Sequence, residues 1–242
     1  MITKNQFKYI QSLGQKKPRD ADNVFIAEGP KLVNELLLSP ICNVTHIYAV
    51  SNWIAQNKQL QSEIVEVTHE ELEKISQLNT PNQVVAIAEK IKWNGEPQVK
   101  NKVSLVLDTI QDPGNLGTII RLADWFGIET IFCSNDSADI YNPKVVQSSM
   151  GSITRVRAEY MDLTDLLKHN NEIRLYATVL DGRDITKMEK LNEGLIVIGN
   201  ESKGISEEIL KLSNVKITIP KKGNAESLNV AVATGIILSH LL

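Results

Sequence analysis

Residues 103–127 read VSLVLDTIQDPGNLGTIIRLADWFG. An apolar run leads through a polar turn into a stretch with helical spacing. The run at 103–107 does not alternate between apolar and polar. A strand of that kind is covered on both faces, as in a parallel sheet flanked by helices. Four more runs share its character, at 130–133, 175–180, 195–198 and 215–219. Helices are predicted over 116–126, 144–150, 163–168, 207–212 and 227–242. The alternation predicts an α/β fold over residues 103–242.

Upstream, KIKWNGEPQVKNK from Lys90 to Lys102 has Gly, Pro and charges but no sustained period. It reads as a linker over 91–102 that separates a first domain, 1–90, from the second, 103–242. The first domain also alternates helix and strand. Phe7, Ile10 and Leu13 mark a short helix, and a polar, basic break follows at 14–20. Strands are predicted at 24–27, 47–50, 63–67 and 83–88. Pro30 opens a helix whose apolar stripe is Leu32, Val33, Leu36 and Leu37. Thr68 and Glu71 form a capping box ahead of Leu72 and Ile75.

Composition narrows the function. Among 242 residues, 26 Lys+Arg face 29 Asp+Glu, and 42% are hydrophobic. The chain can bury a core, and it is no polybasic nucleic-acid coat; a nucleic-acid partner would need a local basic patch. Cys42 and Cys133 form no CxxC pair, and His46, His69, His169 and His240 are scattered, so neither a disulfide framework nor a metal site is expected. No run approaches the roughly 18 apolar residues of a membrane span, and the first residues lack a secretory h-region. A cytoplasmic protein is expected. Neither G-x-G-x-x-G nor a P-loop is present.

Three polar loops follow predicted strands: 108–117, leading to Arg121; 199–206; and 220–229. Each has a plain structural reading. Asp-Pro-Gly-Asn suits a turn, Arg121 and Asp124 suit a surface pair, Glu201 suits a solvated loop, and Ser227 suits a helix cap. Together they place Asn115, Arg121, Glu201, Ser227 and Asn229 where open parallel sheets bind ligands, beyond the carboxyl ends of strands. Asn229 interrupts the apolar run 228–233. A semi-buried amide there needs partners, since an unpaired one costs about 1–3 kcal/mol.

Segments 115–127, 198–205 and 217–233 resemble the three motifs of the SpoU/TrmH family of RNA 2′-O-ribose methyltransferases, in the SPOUT superfamily. Residues 142–152 are also similar to that family, and the likeness spans nearly all of 103–242. FIAEGPKLV, residues 25–33, is similar to the small ribosomal-protein-like α/β domain that precedes many members. The resemblance implies a deep trefoil knot in the second domain and S-adenosylmethionine as cofactor. The cofactor would be held by main-chain groups and small side chains, with Thr178, Val179, Gly199, Ile219 and Leu228 as contacts. It implies a homodimer sharing its active sites, with the last helix and residues 145–150 as candidate interface. The implied substrate is structured RNA, ribosomal rather than transfer RNA, gripped by Lys16, Lys17, Arg19 and Lys31. Arg121 would act on the 2′-hydroxyl, Asn115 would orient it or the ribose, and Glu201 would fix the arginine or a loop amide. Ser227 and Asn229 would bind phosphate, the arginine or the cofactor's polar end. Guanidinium gives up its proton only reluctantly, which suits Arg121 to stabilising charge; its role as proton acceptor stays open. A tRNA substrate, methylation of a base nitrogen, and a non-catalytic RNA-binding assembly factor stay open as alternatives.

Overall fold

A computed structural model describes residues 2–58, 60 and 63–242. The chain forms two compact units. One holds the residues up to Asn94 together with Asp139–Thr154; the other holds Gly95–Ala138 and Arg155–Leu242.

The first unit runs α1 (Lys4–Ser12), α2 (Lys16–Asp22), β1 (Val24–Glu28), α3 (Pro30–Leu38), β2 (Val44–Ala49), α4 (Ser51–Gln56), β3 (Ile64–Glu66), α5 (His69–Ile75) and β4 (Val84–Glu89). Thr68 and Glu71 close the expected capping box on α5, and Thr3 with Gln6 closes another on α1. Helix α2 forms where a polar break was expected. Its Pro18 lies in the first turn, where a missing N–H leaves no bond unmade. Asn23 ends α2 in the left-handed region, at φ 55°. The sheet order is β1-β4-β2-β3, with β4 antiparallel to both neighbours. β1 is buried along its whole length and β4 up to its last residue, Glu89.

In the second unit, β5 (Val103–Leu107), α6 (Pro113–Trp125) and β6 (Thr130–Cys133) come first. The chain then supplies α7 (Pro143–Ser149) to the first unit and returns as β7 (Arg157–Tyr160) and α8 (Leu163–His169). It ends with β8 (Leu175–Asp184), β9 (Gly194–Ile198), α9 (Glu207–Leu212), β10 (Val215–Thr218) and α10 (Val230–Leu241). All six strands are parallel, in the order β10-β8-β9-β5-β6-β7. The α/β fold expected for this region is therefore observed. Strand β7, Arg-Ala-Glu-Tyr, escaped the sequence reading because an edge strand needs no apolar run.

One irregularity positions the site. Lys216 on β10 faces Ala177 on β8, but the next residue, Ile217, faces Arg183. Residues 178–182 therefore loop out of the ladder. Gly182 closes the loop where a Cβ would lie 2.8 Å from the Ile217 main chain, so only glycine lets the strands rejoin. Among the described residues, no helix is long and apolar enough to cross a membrane.

Two placements in the structure differ from what the local sequence pattern suggests. Segment 139–154, expected inside a continuous domain 103–242, packs with the first unit. Val146 and Ile153 join Phe25, Ala27, Leu32 and Leu36 in one core cluster, and the Tyr141 hydroxyl accepts from Ile91 N at 2.9 Å. Val145 and Val146 are fully buried within the chain and offer no apolar surface to a second copy. Arg19, expected at RNA, is 1% exposed. It donates to Leu13 O at 2.9 Å and Gly14 O at 3.0 Å, and pairs with Asp139 Oδ2 at 2.6 Å. Removing one partner of such a pair strands a buried charge. Asp139→Ala is expected to cost about 3 kcal/mol, read from the urea midpoint. A loss below about 1 kcal/mol would show that the guanidinium regains water.

Candidate active site

The site is built outward from the end of β5. Asp108 is buried; its Oδ2 accepts from Ser206 N at 2.7 Å, which fastens the start of α9 to the sheet. Thr109 follows with φ +62°, a region a β-branched residue adopts only at a cost of about 1–3 kcal/mol. Its surroundings hold it there. Thr109 N donates to Ser134 Oγ at 2.8 Å, and its hydroxyl lies 3.2 Å from both Asp108 Oδ1 and Asp136 Oδ2. Hydrogen bonds from Ser134 and Thr109 hold the Asp136 carboxyl below the usual carboxylate range. The Thr109 carbonyl accepts from Asn200 Nδ2 at 2.8 Å.

Asn200 organises the loop after β9. Its Oδ1 accepts from Ser202 N and Lys203 N, and its main chain exchanges two 2.9 Å bonds with Gly204. Gly199 is required at the base of this turn, since a Cβ would lie 2.4 Å from Gly204 C. Asp108, Thr109 and Asn200 were not among the predicted site residues. A polar residue directly after a buried strand marked the first. Nothing in the sequence marks a left-handed threonine.

The turn presents Glu201, and here the three loops meet. Asn115, in the first turn of α6, donates through Nδ2 to Glu201 Oε1 at 2.8 Å. Asn229 Nδ2 donates to Asn115 Oδ1 at 2.9 Å. Asn229 Oδ1 in turn accepts from Ala231 N at 3.0 Å and Val232 N at 3.2 Å, which makes it the N-cap of α10. The predicted start of that helix at Ser227 shifts to Val230, and Asn229 is exposed rather than semi-buried. Its partners are the first N–H groups of α10 and the amide of Asn115.

Arg121 and Ser227 stand outside this chain of bonds. Arg121 is exposed on α6, six residues and about 120° around the helix from Asn115. It makes no hydrogen bond or ion pair among the described residues; Asp124 pairs with Arg155 at 2.9 Å. Ser227 is likewise exposed and without a polar partner among them. Gly199 and Ile219 directly follow β9 and β10, and Thr178 and Val179 lie in the looped-out part of β8, the strand between those two in the sheet. The Thr178 hydroxyl is spent on Val197 O at 2.8 Å. Leu228 precedes α10 and is 49% exposed. Residues 220–228 make no main-chain hydrogen bond to main chain among the described residues. The segment after β10 therefore offers main-chain donors and acceptors that are not used by the sheet. Such a lining suits a planar heterocycle recognised along its edges. On the first unit, Lys17 and Lys31 are exposed, and Lys16 is paired with Asp20 at 2.6 Å.

Residues 102–239 match the model of the SpoU rRNA Methylase family. The chain belongs to that family. Residues 4–86 match the MRM3-like substrate binding domain, the companion expected in front of it. The 23S rRNA (guanosine(2553)-2′-O)-methyltransferase RlmP of Bacillus subtilis is 31% identical, over 98% of this chain and 96% of its own. A TrmH-family protein from Porphyromonas gingivalis is 36% identical and superposes with a TM-score of 0.87, covering 100% of this chain and 98% of its own. An AdoMet-bound rRNA methyltransferase from Sinorhizobium meliloti is 30% identical, with a TM-score of 0.85 over 100% of this chain and 95% of its own.

In this SpoU-family chain the two roles of Asn229 can be separated. Asn229→Ala removes the cap and is expected to lower stability by about 1 kcal/mol in urea melts. Asn229→Asp keeps an acceptor at the helix N-terminus, so stability should stay within about 0.5 kcal/mol of wild type. The aspartate has no N–H for Asn115, and the change should appear as a shifted Asn115 side-chain amide in NMR spectra.

Proposed function

We propose that this chain transfers a methyl group from S-adenosylmethionine to a ribose 2′-oxygen in ribosomal RNA. The observation that carries the reading is the hydrogen-bonded line Glu201–Asn115–Asn229, which ties together the three motif segments that follow β5, β9 and β10. The 23S rRNA activity in the name of the Bacillus subtilis relative, similar over almost the whole chain, favours ribosomal over transfer RNA.

The looped-out residues 178–182, the Gly199 turn and residues 219–228 would hold the cofactor, with Val179, Ile219 and Leu228 against its apolar faces. When bound, S-adenosylmethionine supplies a methyl group on a positively charged sulfur, open to displacement in line by an oxygen. The protein must then align the ribose, let the 2′-hydroxyl proton leave to solvent and accommodate the negative charge this leaves on the oxygen as the carbon–sulfur bond breaks; alignment alone can supply much of the rate. The guanidinium of Arg121 stabilises that charge or grips the adjacent phosphate. Glu201, Asn115 and Asn229 act as one pre-set line of donors and acceptors, and Ser227 adds a hydroxyl at the exposed loop. Lys17 and Lys31 on the first unit contribute phosphate contacts, which add affinity without sequence choice.

A homodimer and a cytoplasmic setting belong to the same proposal. Helices α6 and α10 pack on each other and leave Trp125 82% and Val232 53% exposed. Arg121 lies one turn before Trp125, so a second copy covering the tryptophan would also border Arg121. The trefoil knot expected from the resemblance would thread the chain beyond β10.

Arg121→Ala should abolish 2′-O-methylation, measured by primer-extension mapping of the product RNA, while calorimetric affinity for S-adenosylmethionine stays within about twofold. Full activity in that variant would remove Arg121 from the reaction. A wild-type product methylated on a base nitrogen would overturn the proposed chemistry itself.

A further inference from the structure

The first unit carries a polar groove of about 470 Å³, lined by Lys8, Gln11, Ser12, Gln15, Ser76 and Gln77. Its volume lies in the range of roughly 300–1,000 Å³ typical of ligand sites. Its two walls are each fastened from behind by a buried ionisable side chain. On one side Arg19, 1% exposed, donates to the carbonyls of Leu13 and Gly14 at the corner between α1 and α2. On the other, Glu28 is 3% exposed and accepts from Gln77 N at 2.7 Å and from the Ser76 hydroxyl. Burying such groups is costly unless they are paired and bonded, so a fold that uses two of them here has rigid groove walls.

The walls also meet in detail. Gln11 Nε2 donates to Lys74 O at 3.0 Å, and Gln77 Nε2 reaches Gln11 O at 3.4 Å. Gln77 lies flat against Gly14, where any Cβ would come within 2.4 Å of its Oε1. The ammonium of Lys8 and the carboxamide of Gln15 have no polar partner among the described residues, and Gln15 does not cap α2 with its side chain. The lining thus holds three carboxamides, two hydroxyls and one cation, with no carboxylate and no apolar side chain.

We propose that this groove is the RNA-docking surface of the first unit and takes an unpaired nucleotide of a loop or bulge. Carboxamides pair with base edges through one donor and one acceptor at once, and unpaired bases are the part of RNA that exposes such edges. Lys8 supplies the phosphate contact. A protein partner would call for an apolar or aromatic centre, which this lining lacks. The assignment rests on the reading of the chain as an RNA methyltransferase. It moves the RNA contact from Arg19, where the basic pattern suggested it, to the surface that Arg19 braces.

The test compares wild type with Gln15→Glu/Gln77→Glu, both exposed positions, on an in vitro transcript of the host 23S rRNA. The double variant puts two carboxylates in the groove at almost unchanged volume. Its RNA affinity in filter binding should fall at least tenfold, with KM for the transcript rising in parallel. Its S-adenosylmethionine affinity should match wild type, and Gln15→Glu alone, which breaks no bond of the groove wall, should keep the wild-type melting temperature while still weakening RNA binding. Lys8→Ala should lower the slope of log affinity against log salt by about one phosphate contact. RNA affinity of the double variant within twofold of wild type would overturn the proposal. Whether wild type methylates the transcript tests the function; the variant-to-wild-type ratio tests the groove, so the two fail separately.

Discussion

Two carboxamides and a carboxylate, 86 and 114 residues apart in the chain, share two hydrogen bonds beyond the carboxyl ends of a parallel sheet. Their orientation starts at α10. Two helix N–H groups face Asn229 Oδ1, so its NH2 must point away, toward Asn115. Asn115 must then turn its oxygen to Asn229 and its NH2 to Glu201. An amide that can otherwise flip is set by a helix terminus one residue on. Exposed bonds of this kind contribute only about 1 kcal/mol each, too little to bring three distant segments together. The sheet does that work, along with Asp108 to Ser206 and Asn200 to Thr109. The donor line is a consequence of the fold, and the reading of the chain as a transferase depends on it.

The parallel sheet was legible because its central strands are buried on both faces and cannot alternate. β9 is buried throughout, as are four of the five residues of β5. Where that constraint lapses, the pattern lapses too. β7, at the sheet edge, is half-buried along its length and carries Arg157 and Glu159, which pair with each other. The loops around the site were legible as polar residues in the wrong place, after apolar runs that should end in ordinary turns. That signal found Asn115, Glu201 and Asn229 without showing which would touch.

Side-chain burial was not legible. Lys16, Lys17 and Arg19 form one basic cluster in the sequence, yet Lys16 and Lys17 are exposed while Arg19 is enclosed. The difference lies in Asp139, 120 residues away, which supplies the counter-charge that lets a guanidinium be buried. The same contact joins the apolar packing of Val146 and Ile153 in holding a segment of the second half of the chain in the first unit. A local pattern has no access to a partner at that distance. Sequence reading therefore identifies charge well and its solvent exposure poorly.

Thr109 shows how narrowly such a site is balanced. Glycine would adopt φ +62° freely, whereas threonine pays about 1–3 kcal/mol. Against this stands a hydroxyl between the carboxylates of Asp108 and Asp136, and a hydrogen bond to a charged acceptor contributes about 1.5–3 kcal/mol. The two terms nearly cancel, so the residue adds little to stability. Its effect is geometric. A threonine held at both its N–H and its hydroxyl fixes the direction of the carbonyl that receives Asn200. Asn200 precedes Glu201, so the direction of that carbonyl carries through one residue to the carboxylate at the end of the donor line. A glycine at 109 would satisfy the backbone and leave that direction free to vary.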